Sequence, residues 1–351
     1  MKIALIELGA SHDECLYSQI KIIKSDKNIH LTLICNASLE ENAKYFDLID
    51  KKTFVTLRKG LKEWVDLYKL WRQCKIEKFD KIIFNTAQGK TISKFLHFPF
   101  GKQTKFYGTL HDTRKIKSSH SQKSISKKVK HYFILNEYLE QNIDKKDTEK
   151  LSFSVYHPFL FPNYPDLVST KKDNEIWICI PGQVELKRRD YKSLFKSIEK
   201  HGLNKNIKFI LLGRHGHTHG DGKYIKEEIN RLDVEDQFLL WENFIPVETF
   251  HSMLRYSDYV LPIIHEGDLS GDLYKNQISG ANNLAVGYKK PMLIETSMAD
   301  EMSDYNPIVY DKIDLVKIIN NLDLNKSLDC YNNKKWTFGF QKETYLKSLG
   351  M

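Results

Sequence analysis

Residues 175–202 read EIWICIPGQVELKRRDYKSLFKSIEKHG, and this stretch decides how the chain is divided. An apolar run opens it, a glycine and a basic loop follow, and the amphipathic segment YKSLFKSIEKHG closes it. That is the pattern of a buried β-strand feeding a helix. The same pattern opens the chain, where KIALIEL (2–8) runs into GASHDE. A rhythm that restarts halfway predicts two domains, which 351 residues also suggest at roughly 100–200 residues per domain.

Working outward, the first half offers the strand runs KIALIEL (2–8), IHLTLIC (29–35), DKIIFN (80–85), KFYGTL (105–110), YFILN (132–136) and FSVYH (153–157). Among the helical stretches between them is GLKEWVDLYKLWRQCK, whose Leu61, Val65, Tyr68 and Trp71 recur at spacings of three and four. The second half offers EIWICIPG (175–182), KFILLG (208–213), FLLWE (238–242), YVLPII (259–264), PMLIE (291–295) and PIVYD (307–311). GKYIKEEINRLD and VETFHSMLRYS supply further helices there. Apolar strands alternating with helices predict an α/β fold with parallel sheets covered on both faces. PNYPDLVSTKKDNE (162–175) has two prolines, several charges and no apolar period, and reads as a linker. The expected division is an N-terminal Rossmann-like domain over 1–165, a C-terminal one over 175–330, and a final helix in 331–351 that packs back towards the first. Ligands of open α/β sheets bind beyond the carboxyl ends of the strands. For two such domains facing each other, that place is a cleft.

Composition excludes several classes. Hydrophobic residues at 41% and charged residues at 28% support a packed core and argue against global disorder. The cysteines at 15, 35, 74, 179 and 330 are odd in number and far apart, which reads as reduced thiols of a cytoplasmic protein rather than a disulfide framework or zinc site. No apolar run approaches the roughly 18–20 residues that span a bilayer. The opening apolar run is broken by Glu7 and does not read as a signal peptide. The net charge of +9 draws the chain to phosphates of some kind.

The loops after the strands carry the chemistry. After the first strand, Gly9 permits a close turn, and His12, Asp13 and Glu14 bring titratable groups to the sheet edge. After KFYGTL come His111 and Asp112, a pair suited to acid–base work if geometry brings the side chains together. In IPGQVELKRRDY, Lys187, Arg188 and Arg189 form a cationic cluster before a helix, and arginine's planar fork suits phosphate oxygens. In HEGDLSGDLYKNQISGANNLAVGY (265–288), a helix start near Ser279 and Gly280 exposes unpaired N–H groups, and Lys275 adds a full charge. Each of these also has a plain reading, as a solvated basic turn or an ordinary capped helix. His215, His217 and His219 alternate, but the surrounding glycines indicate a loop, and no metal is expected there. The patch 114–130, with Arg114, Lys115, Lys117, Lys123, Lys127, Lys128 and Lys130, is either a solvated face or a docking surface for an anionic membrane. It lacks interleaved aromatics, so nucleic acid is not the expected partner.

The two-domain rhythm, PGQVELKRRDY, the LLG strand with its glycine loop, and YSDYVLPIIHEG…GANNLAVGYKKPMLI resemble GT-B glycosyltransferases, in particular the retaining glycosyltransferase family 4. The resemblance implies two Rossmann-like domains across a cleft, with the nucleotide-sugar held by the second. It assigns donor contacts to Gly182, Gln183, Arg188, Arg189, Gly213, Arg214, Lys275, Ser279, Gly280 and Asn282. Gln183 stands where the family carries arginine, which leaves Lys187 or Arg189 to compensate. Glu266 matches the family's first glutamate, expected to bind a sugar hydroxyl. Tyr274 or Asn282 stands where the second would be. His111 matches a loop histidine of the reaction centre, with Gly9, His12, Asp13 and Asp112 on the acceptor side. No D-x-D pair occurs in the chain, so fixed cations and a helix N-terminus, with no metal or other cofactor, are expected to stabilise the leaving diphosphate. The expected function is transfer of a sugar to a glycan or lipid-linked glycan in cell-surface polysaccharide synthesis, in the cytoplasm or on the inner face of the membrane. The alternatives are an epimerase-like sugar-nucleotide enzyme, or a silent GT-B domain that binds glycan or a partner transferase.

Overall fold

The structure, a computed structural model, describes residues 1–144, 149–167, 169–216, 220–265, 274–322 and 330–351. It divides into two compact units. The first holds Met1–Pro162 together with Lys275–Ile278 and Lys334–Met351; the second holds Asn163–Tyr274 and Ser279–Asn333.

Among the described residues, seven strands form the sheet of the first unit: β1 (Lys2–Glu7), β2 (His30–Asn36), β3 (Lys51–Val55), β4 (Lys81–Phe84), β5 (Lys105–Leu110), β6 (His131–Ile134) and β7 (Ser152–Val155). Their order is β3-β2-β1-β4-β5-β6-β7, and every pairing is parallel. The chain winds outward from β1 to β3, then returns to the other side of β1 with β4. The carboxyl ends of β1 and β4 are therefore the switch point where a crevice opens in such a sheet. β1 shows why the strands form: all but Lys2 of its residues are buried, as a sheet covered on both faces requires. β3 escapes the sequence reading because KKTFV is an edge strand with two lysines and no apolar run.

The helix Leu61–Glu77 forms where the spacing predicts one. It packs on the sheet through Leu67, Leu70 and Cys74. Leu61, Val65 and Tyr68, whose spacing predicts the helix, are 87%, 50% and 47% exposed. The period marks the outer face of the helix. The helix Phe338–Ser348 belongs to this unit too: Tyr345 stacks on Phe133 with ring centroids 4.1 Å apart, and its hydroxyl donates to Gln19 Oε1 at 2.8 Å.

The second unit carries β8 (Ile176–Pro181), β9 (Ile207–Arg214), β10 (Phe238–Trp241) and β11 (Tyr259–Val260) in the order β10-β9-β8-β11, all parallel. A bridge from Val260 to Met292 leads on to the parallel pair β12 (Leu293–Glu295) and β13 (Ile308–Tyr310). The winding again reverses at β8, so the second switch point lies between β8 and β11. The run YVLPII yields only a two-residue strand. Pro262 has no N–H to donate, and Ile263 turns to φ +39°, a left-handed conformation that a β-branched residue rarely adopts. The segment 162–175 is no free linker. Tyr164 stacks on His251 at 4.0 Å, the Leu167 N–H donates to Ser252 Oγ at 3.1 Å, and Lys171 pairs with Asp258 at 2.6 Å. Among the described residues, no helix is long and apolar enough to cross a membrane.

Candidate functional site

At the first switch point, β1 ends on Glu7 and β4 is followed by Asn85 and Thr86. Glu7 is 1% exposed and accepts three hydrogen bonds: from the Gly9 N–H at 2.7 Å, Asn85 Nδ2 at 2.7 Å and Thr86 Oγ1 at 2.5 Å. Burial pushes its carboxyl above the ordinary range in spite of those donors. The carboxylate thus ties the ends of two strands to the loop between β1 and its helix. That loop turns through His12, which sits in the left-handed region at φ 67°. The conformation is held because the His12 carbonyl accepts from Asn85 Nδ2 at 2.8 Å and from the Cys15 N–H at 3.2 Å. Local strain held by surrounding contacts is a common mark of a functional loop.

The turn stacks the His12 ring on that of His111, with centroids 3.8 Å apart and planes 25° from parallel. The two rings have opposite character. His111 is buried beneath the loop; desolvation, then the neighbouring His12 charge, lowers its pKa to about 3. Its Nε2 lies 2.9 Å from the Asn85 carbonyl oxygen, which can only accept. Nε2 therefore carries the proton and Nδ1 is left as an acceptor. Burial opposes the charge on His12 as well, but the hydrogen bond it donates to Glu14 and the charges of Glu14, Glu7 and Asp13 outweigh it and raise its pKa. The His12–Glu14 contact is 3.4 Å. Against the desolvation it suffers, Glu14 is held low by that bond and by the charge of His12. Asp13 is raised, by burial first and the Glu14 charge second, and accepts from Asn42 Nδ2 at 2.6 Å. One stacked pair thus sets a ring held neutral by burial, with Nδ1 as acceptor, beside a ring whose charged form Glu14 favours.

Asp112 does not join His111 in this cluster. Its carboxylate is spent on Arg114, at 3.0 Å to Nε and 2.9 Å to Nη2. Gln88 fixes the backbone there, its Oε1 accepting from the His111 N–H at 3.0 Å and its Nε2 donating to the Asp112 carbonyl at 2.7 Å. Glu7, Asn85, Thr86 and Gln88 were missed by the sequence reading. The available signal was a polar residue closing each of two apolar strands, KIALIE and KIIFN.

At the second switch point, Arg189 sits at the ends of β8 and β11. It is 6% exposed, donates through Nη2 to the Pro181 carbonyl at 2.5 Å and through Nη1 to the Pro262 carbonyl. Among the described residues its Nε is buried with no hydrogen-bond partner. Among the described residues no carboxylate pairs with it. Gly182 makes room: at φ +105°, an added Cβ would come within 2.4 Å of Arg189 Nη2. Gly213 at the end of β9 lies so close that its Cβ would meet the Gly182 carbonyl oxygen at 2.1 Å. Asp190 caps the next helix through Ser193, and His265 Nε2 lies 2.6 Å from the Leu186 carbonyl. Arg188 is more than half exposed and pairs with Glu185 at 3.0 Å. Gln183 and Lys187 lie in the loop after β8, and Arg214 closes β9.

Ser279 caps the helix Gly280–Gly287, accepting from the Ala281 N–H at 3.3 Å. Gly280 is exposed and nothing stands within 4 Å of where its Cβ would be. Asn282 is fully buried on this helix; its Nδ2 faces Met302 Sδ at 3.4 Å, and among the described residues its Oδ1 has no hydrogen-bond partner. Lys275, expected to act with this helix start, belongs to the first unit instead. There its carbonyl accepts from Asn142 Nδ2 at 2.6 Å, and the neighbouring Asn276 carbonyl accepts from the Thr113 N–H at 3.0 Å. Glu266, His217 and His219 lie outside the described residues; His215 is buried. The described residues hold no group of three or more His, Cys, Asp or Glu arranged for a metal.

The two reversing parallel sheets, each with its polar loops at the carboxyl end, define a two-domain α/β fold of the GT-B type. Solved structures agree. A protein assigned as a UDP-N-acetylglucosamine 2-epimerase from Listeria monocytogenes is similar at TM-score 0.64 and 12% identity, over 99% of this chain and 95% of its own. HepE from Anabaena, in complex with UDP-glucose, is similar at TM-score 0.61 and 13% identity, over 100% and 95%. A glycosyltransferase from Rickettsia africae is similar at TM-score 0.58 and 10% identity, over 99% and 93%. No family model matches the chain, and no curated protein matches it.

Proposed function

We propose that this chain is a sugar-nucleotide enzyme that acts as a retaining glycosyltransferase, moving a sugar from a nucleoside diphosphate donor to a glycan or lipid-linked acceptor. The observation that carries this reading is Arg189, a buried guanidinium with no carboxylate partner among the described residues, fixed by two strand-end carbonyls at the switch point of the second sheet. Transfer breaks the bond between the sugar C1 and the diphosphate oxygen, and the electron pair goes to the diphosphate. A fixed positive charge in a dry site stabilises that developing charge without reorganisation. The capped helix start at Ser279 and Gly280 adds N–H groups and a partial positive charge. The acceptor oxygen forms the new bond to C1, and its proton passes to the departing phosphate. His111, neutral with Nδ1 as acceptor, orients a sugar hydroxyl, and His12 supplies a charged donor beside it. No metal is needed in this scheme. The nucleobase is proposed to be uracil, since structures of this fold include complexes with UDP and UDP-glucose.

A second reading is favoured by the crowding of Glu7, His12, Asp13, Glu14 and His111 at one switch point. That is more acid–base capacity than a transfer step uses, and it suits an epimerase that removes and returns a proton on the sugar. One experiment separates the two. UDP-glucose and UDP-N-acetylglucosamine are incubated with the protein, with and without oligosaccharide acceptors, and followed by NMR. Acceptor-dependent release of UDP supports transfer; conversion to an isomer with solvent deuterium at the sugar carbon supports epimerisation. Arg189→Met is expected to abolish either reaction together with the stabilisation by UDP. Turnover at the unaltered rate would overturn the assignment of the donor site.

A further inference from the structure

The outer face of the helix Leu61–Glu77 is apolar although no described residue of the first unit covers it. Its inner face is satisfied by Leu67, Leu70 and Cys74 against the sheet. The opposite face shows Leu61, Trp64, Val65 and Tyr68 at 87%, 39%, 50% and 47% exposure, with Ile76 at 70%. The stripe does not stop at the helix. Phe98 meets Trp64 and Tyr68 at 6.1 Å and stacks on Trp71 at 5.5 Å, and Trp71 Nε1 donates to the Pro99 carbonyl at 2.8 Å. A solvated helix of this length would ordinarily carry polar residues there.

The rim of this stripe is cationic. Lys75 lies 5.1 Å from the Trp71 ring and Lys94 5.7 Å from that of Trp64. Lys128 donates to the Phe98 carbonyl at 2.8 Å and lies 5.5 Å from the Phe100 ring. The two acids nearby are already engaged, Glu63 with Lys94 and Asp66 with Arg58. Lys59, Lys62, Arg72 and Lys75 are exposed and form no ion pair among the described residues.

We propose that this face docks the protein on an anionic bilayer surface, with Leu61, Trp64, Val65 and Tyr68 seated at the headgroup boundary and the surrounding lysines and arginine against lipid phosphates. The charge pattern decides the occupant. Protein interfaces are depleted of lysine, whereas a helix that lies in a membrane interface combines Trp, Leu and aromatic side chains with Lys and Arg beside them. The groove lined by Lys117, Lys123, Lys127, Lys130 and Lys150 carries charge without exposed large apolar side chains. It attracts anions but has nothing to insert, so the 114–130 patch is not the docking element by itself.

The test uses the full chain and vesicles of phosphatidylcholine with or without phosphatidylglycerol, read by co-sedimentation and by quenching of tryptophan fluorescence with bromine-labelled lipid tails. The expected result is salt-sensitive binding to the phosphatidylglycerol vesicles only, with quenching that drops in Trp64→Phe. Leu61→Ser/Val65→Ser/Tyr68→Ser alters only exposed side chains and is expected to weaken binding at least about tenfold. Lys62→Gln/Arg72→Gln/Lys75→Gln is expected to weaken it and flatten its salt dependence. The proposal is overturned if the wild-type chain binds neither vesicle, or if the triple serine variant binds as the wild type does. It is also overturned if sedimentation velocity shows a wild-type dimer that this variant converts to monomer, since the stripe would then be an interface between copies.

Discussion

His111 is the residue whose environment makes the sharpest demand. In the unfolded chain its pKa is about 6.5; in the fold it is about 3. A group held neutral in the fold takes up a proton on unfolding, so its stabilising contribution is present above about pH 6.5 and is lost as pH falls towards 3. Between pH 7.5 and 5 that amounts to about 2 kcal/mol. His131 and His251, lowered by burial to about 4 and about 3, act in the same sense. Unfolding free energies of His111→Asn should therefore fall less over this range than those of the wild type, by about 2 kcal/mol. An identical pH slope in the two proteins would mean that the ring is not held neutral. Residue identities near this ring were legible as a titratable loop, GASHDE and LHD. What was not legible is that Asp112 turns away to Arg114 and that His12, a hundred residues distant, takes its place beside His111.

The helix Leu61–Glu77 shows what a strong signal leaves open at the scale of elements. A period of three and four marks an apolar face, but nothing in the period says whether that face meets the sheet or the solvent. Here both faces are apolar, and only the packing of Leu67, Leu70 and Cys74 decides. The strand ends of the second unit show the opposite case, in which the element is legible and its close approach is not. PG after IWICI and the LLG run predict two strands with glycines behind them. The structure sets Gly213 so near Gly182 that Gly213→Ala would drive a methyl group to 2.1 Å from a carbonyl oxygen. Backbone must shift there, and a loss of about 1–3 kcal/mol is expected, measured as a lower urea midpoint at an unchanged m-value. Nucleotide binding should fall with it, because the same loop positions Arg189.

For the whole molecule, the reading turns on whether a diphosphate is held by protein charges. UDP at about 100 times its dissociation constant is expected to stabilise the native state by about 2.7 kcal/mol, seen as a rise in Tm. The rise should survive EDTA and shrink with added salt, as a site built on Arg189 and a helix N-terminus implies. A shift that EDTA abolishes would show that a divalent ion carries the diphosphate. The restart at EIWICIPG, the parallel α/β class and the two sets of loops could be read directly. The return of the chain to the first unit at Lys275–Ile278 could not, because it depends on carbonyls that bond to Asn142 and Thr113 far away in sequence.

The amino-acid sequence by itself determined the alternation of strands and helices, the doubling into two units and the placement of glycines, histidines and arginines in loops after strands. Those properties follow from local patterns of apolar, polar and flexible residues, which chain neighbours decide among themselves. Only the tertiary structure decided which loop residues meet. The parallel order places β4 beside β1 and β11 beside β8, and so brings Asn85 to Glu7, His12 to His111 and Arg189 to Pro262. Parallel sheets join strands that are distant in sequence, and no local pattern records which pair of strand ends will form the crevice.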